Sequence, residues 1–286
     1  MWKIFASVFL LSAGGFFEVF SVESIIRKDI IKHQSSDASL LNMIVGNNPQ
    51  QKNYYSRAKA IQCLSQNLTS DDRQMIYSFL HQNKTLHGLK PLEFNSLKND
   101  LVIVLMRQNK RPENLAVELI AMYHDLEQDE IWRDYCVQFM GRFYPMATLQ
   151  EKKLLSKTME EALLNREGGI AGTAMIALNS NLEEIGIRKD VLKEHAFRIS
   201  NDRKYPDYVR LTAIQISSEL GDTRLLEVIK QEIFNSKNVQ LKMSAIAALG
   251  KLGEHKDKRL LTSYALSSDI RLRTSALNAI AQLDKK

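Results

Sequence analysis

One apolar pattern recurs along the chain and limits its possible folds more than any other feature. In the stretch SAIAALGKLG, from Ser244 to Gly253, apolar residues follow Ala245 at +1, +3, +4 and +7. This spacing places them on one wide face of an α-helix. The pattern occurs about seven times, at intervals of 31 to 41 residues, around central residues that we call anchors: Ala60, Leu101, Cys136, Ala174, Ala213, Ala245 and Ala276.

A second helical segment lies between successive anchors. TLQEKKLLSKTMEEALL begins with Thr148 and Glu151 at capping-box spacing, and Gly221 and Asp222 mark the end of one helix and the cap of the next. Each unit is therefore helix, turn, helix, and such pairs bury their apolar faces only when stacked on neighbours. With only five prolines and twelve glycines, the sequence predicts an all-α fold. The expected architecture is an α-solenoid of stacked antiparallel helix pairs, with about six to seven units and small anchors that let helices approach closely.

Three of these stretches resemble a known repeat family. VRLTAIQISSELGD, LKMSAIAALGKLGE and LRTSALNAIAQLD look like HEAT repeats, and their period of 31 to 32 residues is closest to the short HEAT-like units also found in phycobilisome lyase-type proteins. Arg210 and Arg273 match the HEAT arginine, and Lys242 departs from it conservatively. The resemblance is strongest over residues 167–286 and weakens toward residue 55. It implies a curved solenoid used for protein–protein contact.

The first residues are typical of a secretory signal peptide. Lys3 precedes an apolar run from Ile4 to Leu11, small residues follow, and Glu18 ends the run before it could cross a bilayer. We expect residues 1–21 to be a signal peptide cleaved near Gly14 or Ser21, so that the protein is exported (periplasmic or secreted) and meets the membrane only transiently. A buried helix or an uncleaved anchor is the alternative. Residues 22–54, with VESIIRKDIIKH and DASLLNMIVG, are expected to form an N-terminal helical cap and loop, followed by the repeats at 55–286.

The position three residues before the anchor, which we call slot −3, is basic in six of the seven units. Two interpretations compete: a basic stripe for an anionic ligand, or cations that meet backbone carbonyls or acidic neighbours within the fold. We favour the structural interpretation, because repeat stacking itself selects one residue type at one helix position. These residues are Arg57, Lys98, Arg133, Arg210, Lys242 and Arg273.

No motif in the sequence predicts a catalytic, cofactor-binding or metal-binding residue, so we expect no cofactor. None of the six histidines has another at i+3 or i+4, and neither HExxH nor a phosphate-binding glycine loop occurs. Cys63 and Cys136 fall two units apart, roughly 16–20 Å at the usual helix spacing, and are predicted to be buried free thiols. The net charge of +6 is dispersed, so no nucleic acid partner is expected.

Four tyrosines are not explained by the apolar face and are candidates for partner contact: Tyr54, Tyr55, Tyr135 and Tyr144. The leading functional prediction is an exported, non-enzymatic scaffold or adaptor that binds a protein or peptide on its concave face. We expect the second, intervening helix of each unit to line that face. The alternatives are a HEAT-like enzyme of the chromophore lyase or DNA glycosylase type, or an envelope-anchored structural protein.

Overall fold

The structure, a computed structural model, describes residues 36–47, 53–185 and 189–286. The predicted signal peptide, the helix candidate VESIIRKDIIKH and most of the loop NNPQQKN lie outside these residues. Within the described ranges the chain forms helices joined by turns and contains no β-strand. The all-α prediction is therefore confirmed. None of the described helices is both long enough and apolar enough to span a bilayer.

The helices alternate between two series in chain order. They are α1 Asp37–Val45, α2 Tyr54–Cys63, α3 Ser70–Leu80, α4 Pro91–Met106, α5 Leu115–His124, α6 Glu130–Phe143, α7 Leu149–Ala162, α8 Ile170–Ser180, α9 Leu182–Ile185, α10 Lys189–Asn201, α11 Asp207–Glu219, α12 Leu226–Asn235, α13 Val239–Leu252, α14 Lys258–Ala265 and α15 Ile270–Leu283. The anchors lie on α2, α4, α6, α8, α11, α13 and α15, which we call anchor helices. The helices α1, α3, α5, α7, α10, α12 and α14 each precede one of them, and we call these companion helices.

Local signals in the sequence fix several helix ends. Thr148 Oγ1 accepts a hydrogen bond from the backbone N–H of Glu151 at 3.3 Å, and the Glu151 carboxylate accepts one from the Thr148 N–H at 2.7 Å. The predicted capping box is thus present. Asp222 accepts from the backbone N–H of Arg224 at 3.2 Å, in the 3₁₀ turn that leads into α12. Gly221 after α11 has a φ of 73°, which favours glycine at this position.

Packing follows the repeat register throughout the described residues. Each anchor helix packs against its companion and against the next anchor helix along the chain. From α3 onward, consecutive companion helices pack on one another less than the matching anchor helices do. All seven anchors are buried, with at most 2% of their surface exposed. Among the residues at +1, only Leu277 on α15 is exposed, at 53%. The apolar pattern in the sequence therefore identified the core side of the other anchor helices.

Two glycines mark close approaches between neighbouring anchor helices. A methyl group placed on Gly141 of α6 would lie 2.5 Å from Cβ of Ala177 on α8, and one on Gly250 of α13 would lie 2.7 Å from Cα of Ala279 on α15. In both pairs the glycine lies five residues after its anchor (slot +5). The alanine lies three residues after the anchor of the next unit (slot +3). Small residues at slots +5 and +3 therefore permit close helix approach in these two pairs.

Opposite the buried side, each anchor helix carries a half-buried or exposed stripe. On α6 this stripe consists of Ile131, Asp134, Tyr135, Gln138 and Arg142, at helical spacing. We call this side of the anchor helices the open face.

Candidate functional site

The slot −3 residues of the earlier units are buried and bound to the ends of preceding helices. Arg57 donates to the carbonyl of Ile44 at the end of α1. Arg133 donates from Nε to the carbonyl of Tyr123 at 2.8 Å, and Arg210 donates from Nε to the carbonyl of Ser200 at 3.2 Å. Carbonyls at a helix C-terminus lack partners within the helix and carry partial negative charge, so a cation stabilises them.

Two of these arginines also reach acidic neighbours. Arg133 pairs with Glu167, and the buried Arg210 pairs with the buried Glu232 and, at 3.3 Å, with Asp207. These contacts hold both guanidinium groups inside the fold. Arg133 and Arg210 therefore present no basic surface to an anionic ligand.

Lys98 is also fully buried, and part of its environment is aromatic. Its ammonium donates to the carbonyl of Gln82 and, at 2.9 Å, to Oε1 of Gln128. It also lies 4.8 Å from the ring centroid of Phe94 and 5.0 Å from that of Trp132, which are cation–π distances. Burial lowers the pKa of Lys98 to about 8.

The last two basic residues of the series lie in more open surroundings. Lys242 on α13 is half-buried, with its ammonium 5.5 Å from the ring centroid of Tyr264. Arg273 on α15 is exposed and makes a long contact of 3.4 Å to the carbonyl of Ser267. The same slot thus lies in the core of the earlier units and near the surface in the last two.

The four predicted contact tyrosines differ in accessibility. Tyr55 on α2 is 71% exposed, whereas Tyr54 and Tyr135 are half-buried on α2 and α6. Tyr144, just after α6, is only 3% exposed, with the ammonium of Lys152 lying 5.2 Å from its ring centroid. The prediction for Tyr144 is therefore wrong, because the turn after α6 folds its ring into the core.

The open face gathers tyrosines and carboxylates near the start of α8. A methyl group placed on Gly169 would lie 3.6 Å from both carboxylate oxygens of Asp134 and 3.7 Å from Cε2 of Tyr208. One placed on Gly168 would lie 3.6 Å from the carboxyl carbon of Glu130. Gly168, with a φ of 48°, makes the turn that brings the chain between these groups.

The carboxylates of this region perturb the tyrosines around them. Burial raises the pKa of Tyr135, and the charges of Asp134 and Asp100 raise it further. Burial also raises the pKa of Tyr208, with added contributions from Glu130 and Asp134. The pKa of Tyr54 is also raised, mainly by burial and next by the charge of Asp100. We call Tyr54, Asp100, Glu130, Asp134, Tyr135 and Tyr208 the tyrosine–carboxylate patch.

Asp134 is the least satisfied member of the patch. Its Oδ1 atom is inaccessible to solvent and accepts no hydrogen bond from the described residues. Burial raises the pKa of its carboxyl, a hydrogen bond with Thr173 opposes that shift, and Glu130 adds to it. An acceptor in this state gains stability from any donor that reaches it.

The repeat register explains why these residues meet. Asp100 and Tyr135 occupy slot −1 of α4 and α6, so adjacent anchor helices place them side by side. Tyr55, Ile131 and Tyr208 all occupy slot −5 of their helices. Sequence analysis identified Tyr54, Tyr55 and Tyr135 but missed Tyr208, Glu130, Asp134 and Asp100. A comparison of the anchor-helix positions outside the apolar pattern, made unit by unit, would have identified them.

Cys63 and Cys136 are free and buried, as predicted, and burial raises the pKa of the Cys136 thiol. Across residues 36–47, 53–185 and 189–286, no group of three or more histidine, cysteine, aspartate or glutamate side chains could hold a metal ion. A scan against protein-family models finds no match to this chain, and a search of curated proteins finds no significantly similar sequence.

Proposed function

We propose that this protein is an exported, non-enzymatic, HEAT-like α-solenoid that binds a protein or peptide partner on its concave face. The repeated pairing of companion and anchor helices supports this architecture, since each anchor helix packs on the next along the chain. Solenoids built in this way offer extended surfaces to partners.

The anchor helices, rather than the companions, supply the proposed concave face. In a curved stack the helices of the inner layer lie closer together, and from α3 onward the anchor helices pack more extensively than the companions do. This choice differs from the sequence-based expectation, which gave the partner surface to the intervening helices. It also agrees with the position of the tyrosines, because Tyr54, Tyr55, Tyr135 and Tyr208 all lie on anchor helices.

The observation that carries the proposal is that three of the seven slot −5 positions hold exposed apolar or aromatic side chains. Tyr55 is 71% exposed, Tyr208 is 55% exposed and Ile131 is 42% exposed, all on the open face. Tyrosines and other aromatic residues are enriched where proteins bind partners. Their shared slot puts them on one surface rather than at scattered positions.

Site-specific crosslinking tests this proposal. A photoreactive phenylalanine analogue replaces Tyr55 or Tyr208 in the full chain, and in a control it replaces Phe234, which is 64% exposed on the companion helix α12. We expect a discrete crosslinked protein or peptide from the two open-face positions and none from Phe234. Equal crosslinking at all three positions, or none at any, argues against a partner on the open face.

Export is tested separately by sequencing the N-terminus of the protein from its natural source. A mature chain that starts after Gly14 or Ser21 supports an exported scaffold. An intact Met1 on a cytosolic protein contradicts export and favours the lyase-type or glycosylase-type alternative. An intact Met1 on membrane-bound protein favours the envelope-anchored alternative.

A further inference from the structure

We infer that the outward side of α15 is a second interaction surface, which receives an acidic amphipathic helix from a partner protein. This surface is called the end face and consists of Ile270, Arg273, Leu277, Ile280 and Ala281. These residues occupy other slots than those of the open face. The end face therefore adds an interaction to the one proposed above.

Comparison of equivalent slots shows that the end face is uncovered. In the six earlier units the residue at +1 is at most 4% exposed, whereas Leu277 is 53% exposed. Slot +4 is buried in the earlier units, but Ile280 is half-buried. At slot +5, Gly141 and Gly250 lie against the next anchor helix, whereas Ala281 is exposed. These slots are thus covered where another unit follows, and the described residues leave them open on α15.

The uncovered side chains form a stripe that fits one helix. Ile270, Arg273, Leu277 and Ile280 follow one another at intervals of three, four and three residues, which is the spacing of a helix–helix seam. Ile270 is 64% exposed and extends the apolar surface. Terminal repeats of a solenoid normally carry a polar outer face. An apolar stripe at this place therefore indicates contact with a further helix.

Arg273 specifies the charge of that helix. In two earlier units the slot −3 arginine pairs with a carboxylate from the next unit, since Arg133 pairs with Glu167 and Arg210 with Glu232. Arg273 has only a long contact to a backbone carbonyl among the described residues. A helix that covers α15 as the next unit covers α6 or α11 would bring a carboxylate to this guanidinium group, which forms strong paired hydrogen bonds with carboxylates.

A second copy of the chain fits the end face less well than an acidic partner does. Every side-chain carboxylate from residue 254 onward is already paired with a lysine or arginine of the same chain: Glu254, Asp257, Asp269 and Asp284. None of them is left for the Arg273 of another copy. Basic side chains also outnumber acidic ones in this segment, so two end faces repel each other and an acidic helix is attracted.

Peptide binding to the full chain tests the inference. The probes are three fluorescent peptides with the same heptad stripe of leucines. Their other positions hold alanine with glutamate, alanine with glutamine, or alanine with lysine. Fluorescence anisotropy is measured at concentrations where each peptide is monomeric. We expect the glutamate peptide to bind most tightly and to lose affinity as salt is added.

Two pairs of variants locate the binding. Arg273→Gln is expected to weaken binding of the glutamate peptide about tenfold and to affect the glutamine peptide much less. Its control, Arg203→Gln, removes an exposed arginine from the turn after α10 and should change little. Leu277→Ser should weaken binding of both peptides, whereas Leu154→Ser, at a 44% exposed position of the companion helix α7, should weaken neither. Thermal unfolding checks that each variant is folded.

Each outcome has a distinct meaning. Losses confined to Arg273→Gln and Leu277→Ser support the inference. Equal losses in the control variants, equal or tighter binding of the glutamine or lysine peptide, or no binding of the glutamate peptide overturn it. Light scattering tests the other occupant, because a dimer that Leu277→Ser converts to a monomer assigns the end face to a second copy and also overturns it. The crosslinking at Tyr55 and Tyr208 tests the open face independently of all these results.

Discussion

The buried residues form two clusters that differ in composition. The first, from α1 to α11, contains every buried aromatic side chain of the described residues, including Trp132 and Phe139. The second, from α11 to α15, has only aliphatic residues at its buried positions, such as Ala245 and Leu249. The units from α12 onward thus pack with small and aliphatic residues, while the earlier units enclose larger rings and the buried Lys98.

This contrast shows what a repeat does and does not determine. The register fixes which residues face the core, since all seven anchors are buried in both regions. It does not fix the environment of a given slot. Arg210 and Arg273 occupy the same slot, yet the first is buried in an ion pair and the second is exposed. Four predictions test this difference, beginning with the largest expected effect.

Truncating Trp132 should produce the largest loss of stability. Its side chain is fully buried in the aromatic cluster and lies against the ammonium of Lys98. Trp132→Ala is expected to lower the free energy of unfolding by about 3–5 kcal/mol, measured by urea denaturation with circular dichroism. Trp132→Phe is the control and should cost much less, because the indole N–H has no hydrogen-bond partner to lose. If Trp132→Ala lowers the free energy of unfolding no more than Trp132→Phe does, the aromatic cluster does not stabilise the fold as proposed.

The arginine slot offers a direct comparison of the two regions. Arg210→Met leaves Glu232 buried without its partner and the Ser200 carbonyl without its donor. We expect a loss of about 3–5 kcal/mol in the free energy of unfolding. Arg273→Met removes an exposed side chain and should change it by less than about 0.5 kcal/mol. The same urea titration measures both, and similar losses would mean that the slot acts identically in every unit.

Lys98 should make stability depend on pH in the alkaline range. Its pKa is about 8 in the folded chain and about 10.4 in an unfolded one. Between these values the unfolded state binds the extra proton, so the free energy of unfolding rises with pH. Across the interval between the two pKa values, the free energy of unfolding is expected to rise by about 3 kcal/mol.

The measurement compares the natural chain with Lys98→Met from pH 7.5 to about 10.5. We expect the free energy of unfolding of the natural chain, minus that of Lys98→Met, to increase as pH rises. Using the difference removes the effect of other groups, such as Tyr77, whose pKa burial also raises. A difference that stays constant over this range contradicts a lowered pKa for Lys98.

The sequence predicted those parts of the fold that depend on local signals. The apolar spacing around Ala245, the capping box at Thr148 and the turn at Gly221 each act within a few residues. The helix that each one predicted is present. The separation of Cys63 from Cys136 followed from the register, and both thiols are free. The helix ends need no knowledge of how one unit lies on the next, and the cysteine separation needs only the usual spacing of stacked helices.

The candidate site depends on contacts between units, which no local signal encodes. Asp134 and Tyr208 are separated by more than seventy residues and meet only because α6, α8 and α11 pack in order. Tyr144 looked like a surface tyrosine, since nothing in its neighbourhood shows that the chain turns its ring inward. Comparing the same slot in every unit reduces the number of candidate site residues. Which residues of different units contact each other is known only from the packed structure.

The smallest effect we predict concerns the glycines at slot +5, and it tests whether close helix approach is shared by the two regions. Gly141→Ala and Gly250→Ala would place a methyl group 2.5 Å from Cβ of Ala177 and 2.7 Å from Cα of Ala279, respectively. Because backbone must move in each case, we expect each to lower the free energy of unfolding by about 1–3 kcal/mol. Gly172→Ala on α8 is the matched control. Its nearest neighbours would be 3.7 Å away, so the higher helix propensity of alanine should stabilise the protein by up to about 1 kcal/mol. If only the Gly250 variant is destabilised, close approach belongs to the regular repeats alone, and the aromatic region sets its helix spacing by its large side chains.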